Sequence, residues 1–415
     1  MACERFGVFK SVNRTIVCQN TVARRQRRKP RKTGTKKCNF PFRLRITCVD
    51  GKNWKLWVFQ GQHNHSPYDT LIGHSFSGRL NPEEKDLCIS LSVNGVKPAL
   101  ILSTMKSRHS KNVSTARTIY NVKSKFRIKA MEGRTKMQKL LQLLDVHHYV
   151  TSNKRETNSG RVLELFWSHP DGSKLAQCFP TVLLLDCTYK TNRWSMSLFH
   201  AVGVTPTSLS FTIAYCFMSA EKTENYIWAL QQLRQLYSSS NLPSVIVTDD
   251  DQQLQNAVNL IFPEATRLLC TYHISCNVSS HFEKDIASSI TEDLEDIKQD
   301  WETLWRFADH ALYEINLAYF LKAWSMLYPT TVSYLRTQWL ARKEQFVYAL
   351  TNNILHLGNT TTNRAESEHA ALKNFLRCST GDFLKCWQDM DNQWVTRVIN
   401  IRASLEKQNR CCTRI

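Results

Sequence analysis

The sequence predicts an α/β domain preceded by a small β module and a helical connector. Three observations lead there. From about residue 160 to 270, short apolar runs and helical spacing follow one another as three strands, helix, strand, helix, strand. That order is a layered α/β arrangement. Near the start, alternating apolar and polar residues flank Asp50-Gly51, a hairpin turn signal. Between these regions, Asn81 to Lys129 carries helical patterns broken at Asn94-Gly95.

The chain has 415 residues, enough for two or three domains at roughly 150 residues each. Hydrophobic residues make up 42% and charged residues 22%, which excludes wholesale disorder and a collagen-like fibre. No apolar run approaches the roughly 20 residues that cross a bilayer. The opening MACERFGVFKSVNR lacks the apolar core of a signal peptide, so an intracellular protein is expected. Fifty-five Lys and Arg against 35 Asp and Glu give a net charge of +20. Such a surplus attracts polyanions, with nucleic acid first. An anionic membrane surface is less well supported, because no basic amphipathic helix stands out. The 14 cysteines are not expected to form disulfides in a reducing compartment. Cys88, Cys178, Cys187 and Cys216 lie in apolar stretches and read as small core residues.

Taking the elements in order, the first is a basic run. Between Arg24 and Lys37, nine of fourteen residues are basic: Arg24, Arg25, Arg27, Arg28, Lys29, Arg31, Lys32, Lys36 and Lys37. It reads as a solvated loop, and beyond that as a DNA-contacting arm or nuclear localisation signal. Phe42 to Cys48 alternates as a half-buried strand, and Trp54 to Phe59 returns it. A module this small needs a staple. Cys18, Cys38, His63 and His65 supply two thiolates and two imidazoles, a tetrahedral zinc set. The alternative is two core cysteines and two surface histidines. Cys18, the basic loop, Lys37-Cys38-Asn-Phe-Pro-Phe-Arg-Leu, the Trp54 strand and His63-Asn-His65 resemble the FAR-type member of the WRKY-GCM class of zinc-binding DNA-binding domains. The resemblance covers about residues 5–67. It implies structural Zn²⁺ on those four residues and a strand laid against the DNA major groove.

Residues 66–79 read as a polar linker. Asn81-Pro82-Glu83-Glu84 is a helix start, with an N-cap, Pro at the first position and acids in the first turn. A second helix resumes at Pro98, a third runs from about Ser114 to Lys129, and a fourth from about Leu140 to Ser152. This 80–150 stretch is either a helix-turn-helix-like unit or a plain connector.

The α/β region begins with strand-like text at Val162–Trp167. Val182-Leu-Leu-Leu185 ends in Asp186, and Val245-Ile-Val247 is followed by Thr248-Asp249-Asp250-Asp251. Carboxylates at the ends of adjacent buried strands repel unless a cation sits between them. Hard oxygens of this kind suit Mg²⁺ or Mn²⁺, and two such ions can clamp the oxygens of a phosphodiester in cleavage. A third acid is needed. Glu366, in Thr361-Thr-Asn-Arg-Ala-Glu366-Ser-Glu368-His, is the candidate, although a first-turn acid can simply answer the helix dipole. Glu366 and Ala370 share a face from which Glu368 points away. Strand alternation does not choose among Asp249, Asp250 and Asp251. After His273 the text turns helical. Trp301, Trp305, Trp324 and Trp339 in it read as core, not as a stack for nucleic-acid bases.

Asp186-Cys-Thr-Tyr-Lys-Thr-Asn, Val247-Thr-Asp249, Leu268-Leu-Cys270-Thr-Tyr-His273 and Thr362-Asn-Arg-Ala-Glu366-Ser resemble, in this order, the Mutator-like (MULE) transposase domain. The resemblance spans about residues 179–378. It implies an RNase H-like fold, a catalytic triad of Asp186, Asp249 and Glu366 holding Mg²⁺ or Mn²⁺, and a helical insertion at about 275–355 within a domain of about 160–400. The acids are separated by 62 and 116 residues, and the second gap has room for that insertion. Cys270 and His273 form the family's C-x-x-H feature, read as structural and near the acids. Implied partners are double-stranded DNA (terminal inverted repeats and target), a second copy of the chain, and the nucleus as location. The rival is a catalytically inactive FAR-type transcription regulator derived from such a transposase. A third reading, a nuclease without strand transfer, shares every active-site feature.

Overall fold

The computed structural model describes residues 42–51, 53–62, 76–286, 291–376 and 380–412. The zinc candidates Cys18, Cys38, His63 and His65 and the whole Arg24–Lys37 run lie outside them. The chain divides into two compact units between Ala130 and Met131.

In the first unit, β1 (Arg43–Cys48) and β2 (Trp54–Gln60) pair antiparallel, with Ile46 opposite Leu56. Gly51 sits at the turn with φ +78°, a conformation that favours glycine. Helix α1 (Pro82–Val93) opens on a reciprocal cap. The Asn81 side chain accepts from Glu84 N at 2.7 Å, and Glu84 accepts from Asn81 N at 2.9 Å. Helices α2 (Pro98–Arg108) and α3 (Ala116–Met131) follow. Leu80, Cys88, Ile101, Met105 and Ile119 form their shared core.

The second unit is built on a seven-stranded mixed sheet with helices on it. Its strands are β3 (Val150–Arg155), β4 (Val162–Ser168), β5 (Val182–Thr188), β6 (Ser197–Val204), β7 (Ser210–Met218), β8 (Val245–Thr248) and β9 (Thr266–Leu269). They lie in the order β3-β4-β7-β6-β5-β8-β9. The pairs from β3 to β5 are antiparallel, whereas β8 and β9 run parallel to β5. Strands β6 and β8 are buried throughout, and β5 at every residue but Cys187, which explains their continuous apolar text.

The helices are α4 (Lys136–Val146), α5 (Pro170–Cys178), α6 (Thr223–Arg234), α7 (Gln252–Ile261), α8 (Thr271–Asp285), α9 (Thr291–Leu304), α10 (His310–Leu327), α11 (Pro329–Tyr334), α12 (Tyr348–Thr351), α13 (Asn363–Leu376) and α14 (Phe383–Cys412). A π turn (Leu335–Trp339) and a 3₁₀ turn (Leu340–Gln345) join α11 to α12. Helices α5, α6, α7 and α14 pack on one face of the sheet through Ala176, Leu230, Leu254 and Trp394. Helices α8 to α12 share a separate core containing Trp301, Trp324 and Trp339, with Trp305 only partly buried against it.

Three sequence expectations change. Tyr149–Ser152 is not helical: α4 stops at Val146, His148 takes φ +56°, and Val150 starts β3. The β-branched Val150 and Thr151 suit a strand better than a helix end. Helix α5 lies in a stretch to which the sequence reading assigns no element; Pro170 occupies its first turn. Cys178 is exposed at the end of α5, whereas Cys88 and Cys216 are buried as expected. Among the described residues, no helix is long and apolar enough to cross a membrane.

Candidate active site

Two neighbouring strands bring two acids together. Leu184 of β5 is in register with Val247 of the parallel β8. Two residues further on stand Asp186, within β5, and Asp249, just past the end of β8. Helix α13 supplies the third. Ala365, fully buried, plugs into the apolar face made by Val182, Leu184, Val245 and Val247, and the next residue, Glu366, emerges at the strand ends. Asp186, Asp249 and Glu366 line one open cavity of about 430 Å³.

The neighbours of Asp249 separate the roles of the three consecutive acids. Asp250 is held by Arg342 from the 3₁₀ turn, in a two-pronged pair at 2.5 and 3.3 Å, and by Gln255 Nε2 at 3.2 Å. Asp251 caps α7, accepting from Gln253 N at 2.8 Å, and takes the Tyr226 hydroxyl at 2.8 Å. Asp249 and Asp251 both line the cavity, but Asp249 Oδ1 accepts only a long bond from Asp251 N, at 3.4 Å, among the described residues. Of the three consecutive acids, Asp249 is the cavity-lining one that is least engaged by its neighbours.

A clasp fixes the start of α13. Cys270 is buried where β9 turns into α8. Its Sγ accepts from Thr362 N at 3.2 Å and Thr362 Oγ1 at 3.3 Å. Its partner His273 places Nε2 3.3 Å from Glu366 Oε1. The C-x-x-H pair therefore joins the sheet edge to the first turn of α13, beside the acids. Glu368, two residues on, points away from the cavity and pairs with Arg397 of α14 in a buried contact.

Burial and the neighbouring Asp249 carboxylate push Asp186 up to about 7. Asp249 is raised by burial and by Asp251. His273 is also raised, up to about 9, because Cys270, Glu366 and Asp249 favour its charged form. His369 faces Asp186 at 3.5 Å, but burial lowers it to about 4, so it stands there as a neutral imidazole. A raised carboxyl means the folded state keeps a proton that the unfolded chain releases between about pH 4 and 7. The stability this site contributes is greatest below pH 4 and is lost as pH rises through 7. Asp186→Asn, which cannot ionise, therefore gains stability over the parent across that window, with a flat difference above it. Denaturant unfolding of both proteins in EDTA from pH 4 to 8 measures this; a constant difference would contradict it.

The donor set fits a hard divalent cation in its chemistry: Asp186 and Asp249 carry charge that burial disfavours until a cation arrives, and Glu366 adds a more exposed carboxylate oxygen pair. Among the described residues, no three His, Cys, Asp or Glu side chains already form a metal cage, so binding requires the carboxylates to close in. Residues the sequence did not single out also line the cavity: Tyr189, Glu221, Tyr226, His369 and Lys373. Glu221 accepts the Tyr189 hydroxyl at 2.6 Å, and its other oxygen is buried without a partner among the described residues. Only His369 carried a signal, its position one helical turn after Glu366.

Residues 182–277, which run from the first residue of β5 into α8, match a known family. The match is to the MULE transposase domain. The MULE segment holds Asp186, Asp249, Cys270 and His273, and Glu366 lies beyond its end. Over 294 residues the chain is 24% identical to Protein FAR1-RELATED SEQUENCE 5 of Arabidopsis thaliana, covering 64% of this chain and 36% of that protein. It is 21% identical to Protein FAR1-RELATED SEQUENCE 6 of the same plant, covering 65% and 39%. A third relative, PKS-NRPS hybrid synthetase cheA of Chaetomium globosum, is 23% identical over 411 residues, 90% of this chain but 9% of that protein. The chain thus spans less than two fifths of the length of each of these relatives.

Proposed function

We propose that this chain is a Mutator-like DNA transposase, with Asp186, Asp249 and Glu366 as its catalytic acids. One observation carries the reading: three carboxylates far apart in sequence line one cavity at the edge of the MULE domain. The sheet supports an RNase H-like fold. Strands β7-β6-β5 form an antiparallel meander, and β8 and β9 extend it in parallel. Helices α8 to α12, with their own core, are the insertion that delivers Glu366. The proposed organisation is a DNA-recognition module at 1–67, a helical region at 80–150 and the transposase domain at 160–400.

Bound at these acids, two Mg²⁺ or Mn²⁺ ions would supply water activation and charge stabilisation at the scissile phosphate. Asp186 and Asp249 would hold them from fixed strand ends. Glu366 would complete the set from α13, kept in place by His273. Lys and Arg side chains of the Arg24–Lys37 run would contact phosphates, giving affinity and register but not sequence choice. That run and the DNA substrate also support a nuclear location.

A FAR-type regulator without catalysis is the second reading, favoured by the FAR1-RELATED proteins among the relatives. The test uses the full chain, Mg²⁺ and the inverted-repeat DNA that flanks its coding region, comparing the parent with Asp186→Asn. Cleavage by the parent alone is the expected result. Binding without cleavage by either protein would decide for the regulator.

A further inference from the structure

A second cavity, of about 510 Å³, lies beside the acidic one. That is within the usual size of small-molecule sites. Its walls come from the first turns of α8, the end of α9, the approach to α12 and the loop entering α13. They are aromatic: Tyr272, Trp305, Phe346 and Tyr348. Tyr272 is 49% exposed and Tyr348 40% exposed, so two rings stand open to solvent instead of closing the core. The walls are nonetheless fixed. Tyr348 N donates to Trp305 O at 2.9 Å, and Thr271 N donates to Thr360 O at 3.0 Å. Polar groups are interleaved with the rings. Arg306 lies over the Trp305 ring at 4.8 Å and pairs with Glu302 at 2.6 Å. The Trp305 indole N–H is buried without a partner among the described residues.

Position gives this cavity its meaning. Tyr272 precedes His273, whose Nε2 is 3.3 Å from Glu366. Asn363, on the cavity wall, is three residues before Glu366, about 5 Å along the helix. A nucleic-acid strand advances about 3.4 Å per nucleotide, so an occupant here is one or two nucleotides from a phosphate held at the acids. Flat aromatic walls with hydrogen-bonding groups between them suit a nucleobase, since every base offers a π face. A base reaches such a pocket only when unpaired or turned out of the duplex.

We propose that this cleft receives the base of an unpaired nucleotide next to the phosphate held by Asp186, Asp249 and Glu366. The proposal rests on the transposase reading. Trp305, partly buried against the core that holds Trp301, Trp324 and Trp339, is also a wall of the cleft.

The experiment uses the full chain in EDTA with inverted-repeat duplexes, each carrying one unpaired 2-aminopurine at successive positions near the repeat end. Expected is roughly tenfold tighter binding, with altered fluorescence, for one or two adjacent positions over the paired duplex. Tyr272→Ala and Tyr348→Ala remove exposed rings, so the fold is retained, as circular dichroism would check. Both should lose that preference while binding the paired duplex like the parent. Duplex binding with no positional preference, or a preference that both variants keep, overturns this proposal alone. No affinity for any DNA overturns it together with the transposase reading.

Discussion

Asp249→Asn lowers Mg²⁺-dependent cleavage of inverted-repeat DNA by roughly a thousandfold or more, while Asp250→Asn leaves it within about tenfold. The first figure follows from losing several kcal/mol of charge stabilisation at the metal-dependent step, with each 1.36 kcal/mol worth tenfold. The contrast follows from the contacts. Asp249 faces the cavity, whereas both Asp250 oxygens are taken by Arg342. Asp250→Asn therefore acts on stability, by about 1 kcal/mol for a partly exposed pair. Gel assays of strand cleavage, with DNA affinity measured separately, distinguish the two. Equal losses in both variants would contradict the assignment.

Arg397→Leu destabilises the second unit by about 3–5 kcal/mol, the usual result of stranding a buried charge. Glu368 is 4% exposed, and Arg397 is the partner that its carboxylate meets. The pair ties α13 to α14, so the loss also loosens the helix that carries Glu366. The double variant Glu368→Gln, Arg397→Leu should recover most of the stability, because no charge is then left buried. Denaturant midpoints of the three proteins measure this. A single variant as stable as the parent would contradict it.

The contrast between Glu366 and Glu368 shows how far the sequence could be read. Asp186 and Asp249 were legible because each ends a short apolar run, a position that fixes a side chain at a sheet edge. Glu366 was legible mainly through its motif, since a first-turn acid has an ordinary explanation in the helix dipole. The partner of Glu368 was not legible: Arg397 is 29 residues away on another helix, and nothing local marks the pairing. The same holds for Arg342, 92 residues from Asp250, yet that contact is what separates the consecutive acids. Buried strands β5, β6 and β8 announced themselves by continuous apolar text. Edge strand β3, Val-Thr-Ser-Asn-Lys-Arg, did not, because a half-solvated strand needs no apolar pattern on its open side. Of the four insertion tryptophans, three are buried in the core as periodicity predicts; Trp305 packs against the same core but is only partly buried, because it follows the end of α9 beside a cleft.

The most direct measurement is Mn²⁺ binding to the full chain without DNA, followed by the electron paramagnetic resonance signal of free Mn²⁺. Asp186→Asn, Asp249→Asn and Glu366→Gln should each weaken the same binding event by about tenfold or more, because their carboxylates close on one cation. Binding that all three substitutions leave unchanged would contradict a shared metal site and, with it, the catalytic role proposed for these acids.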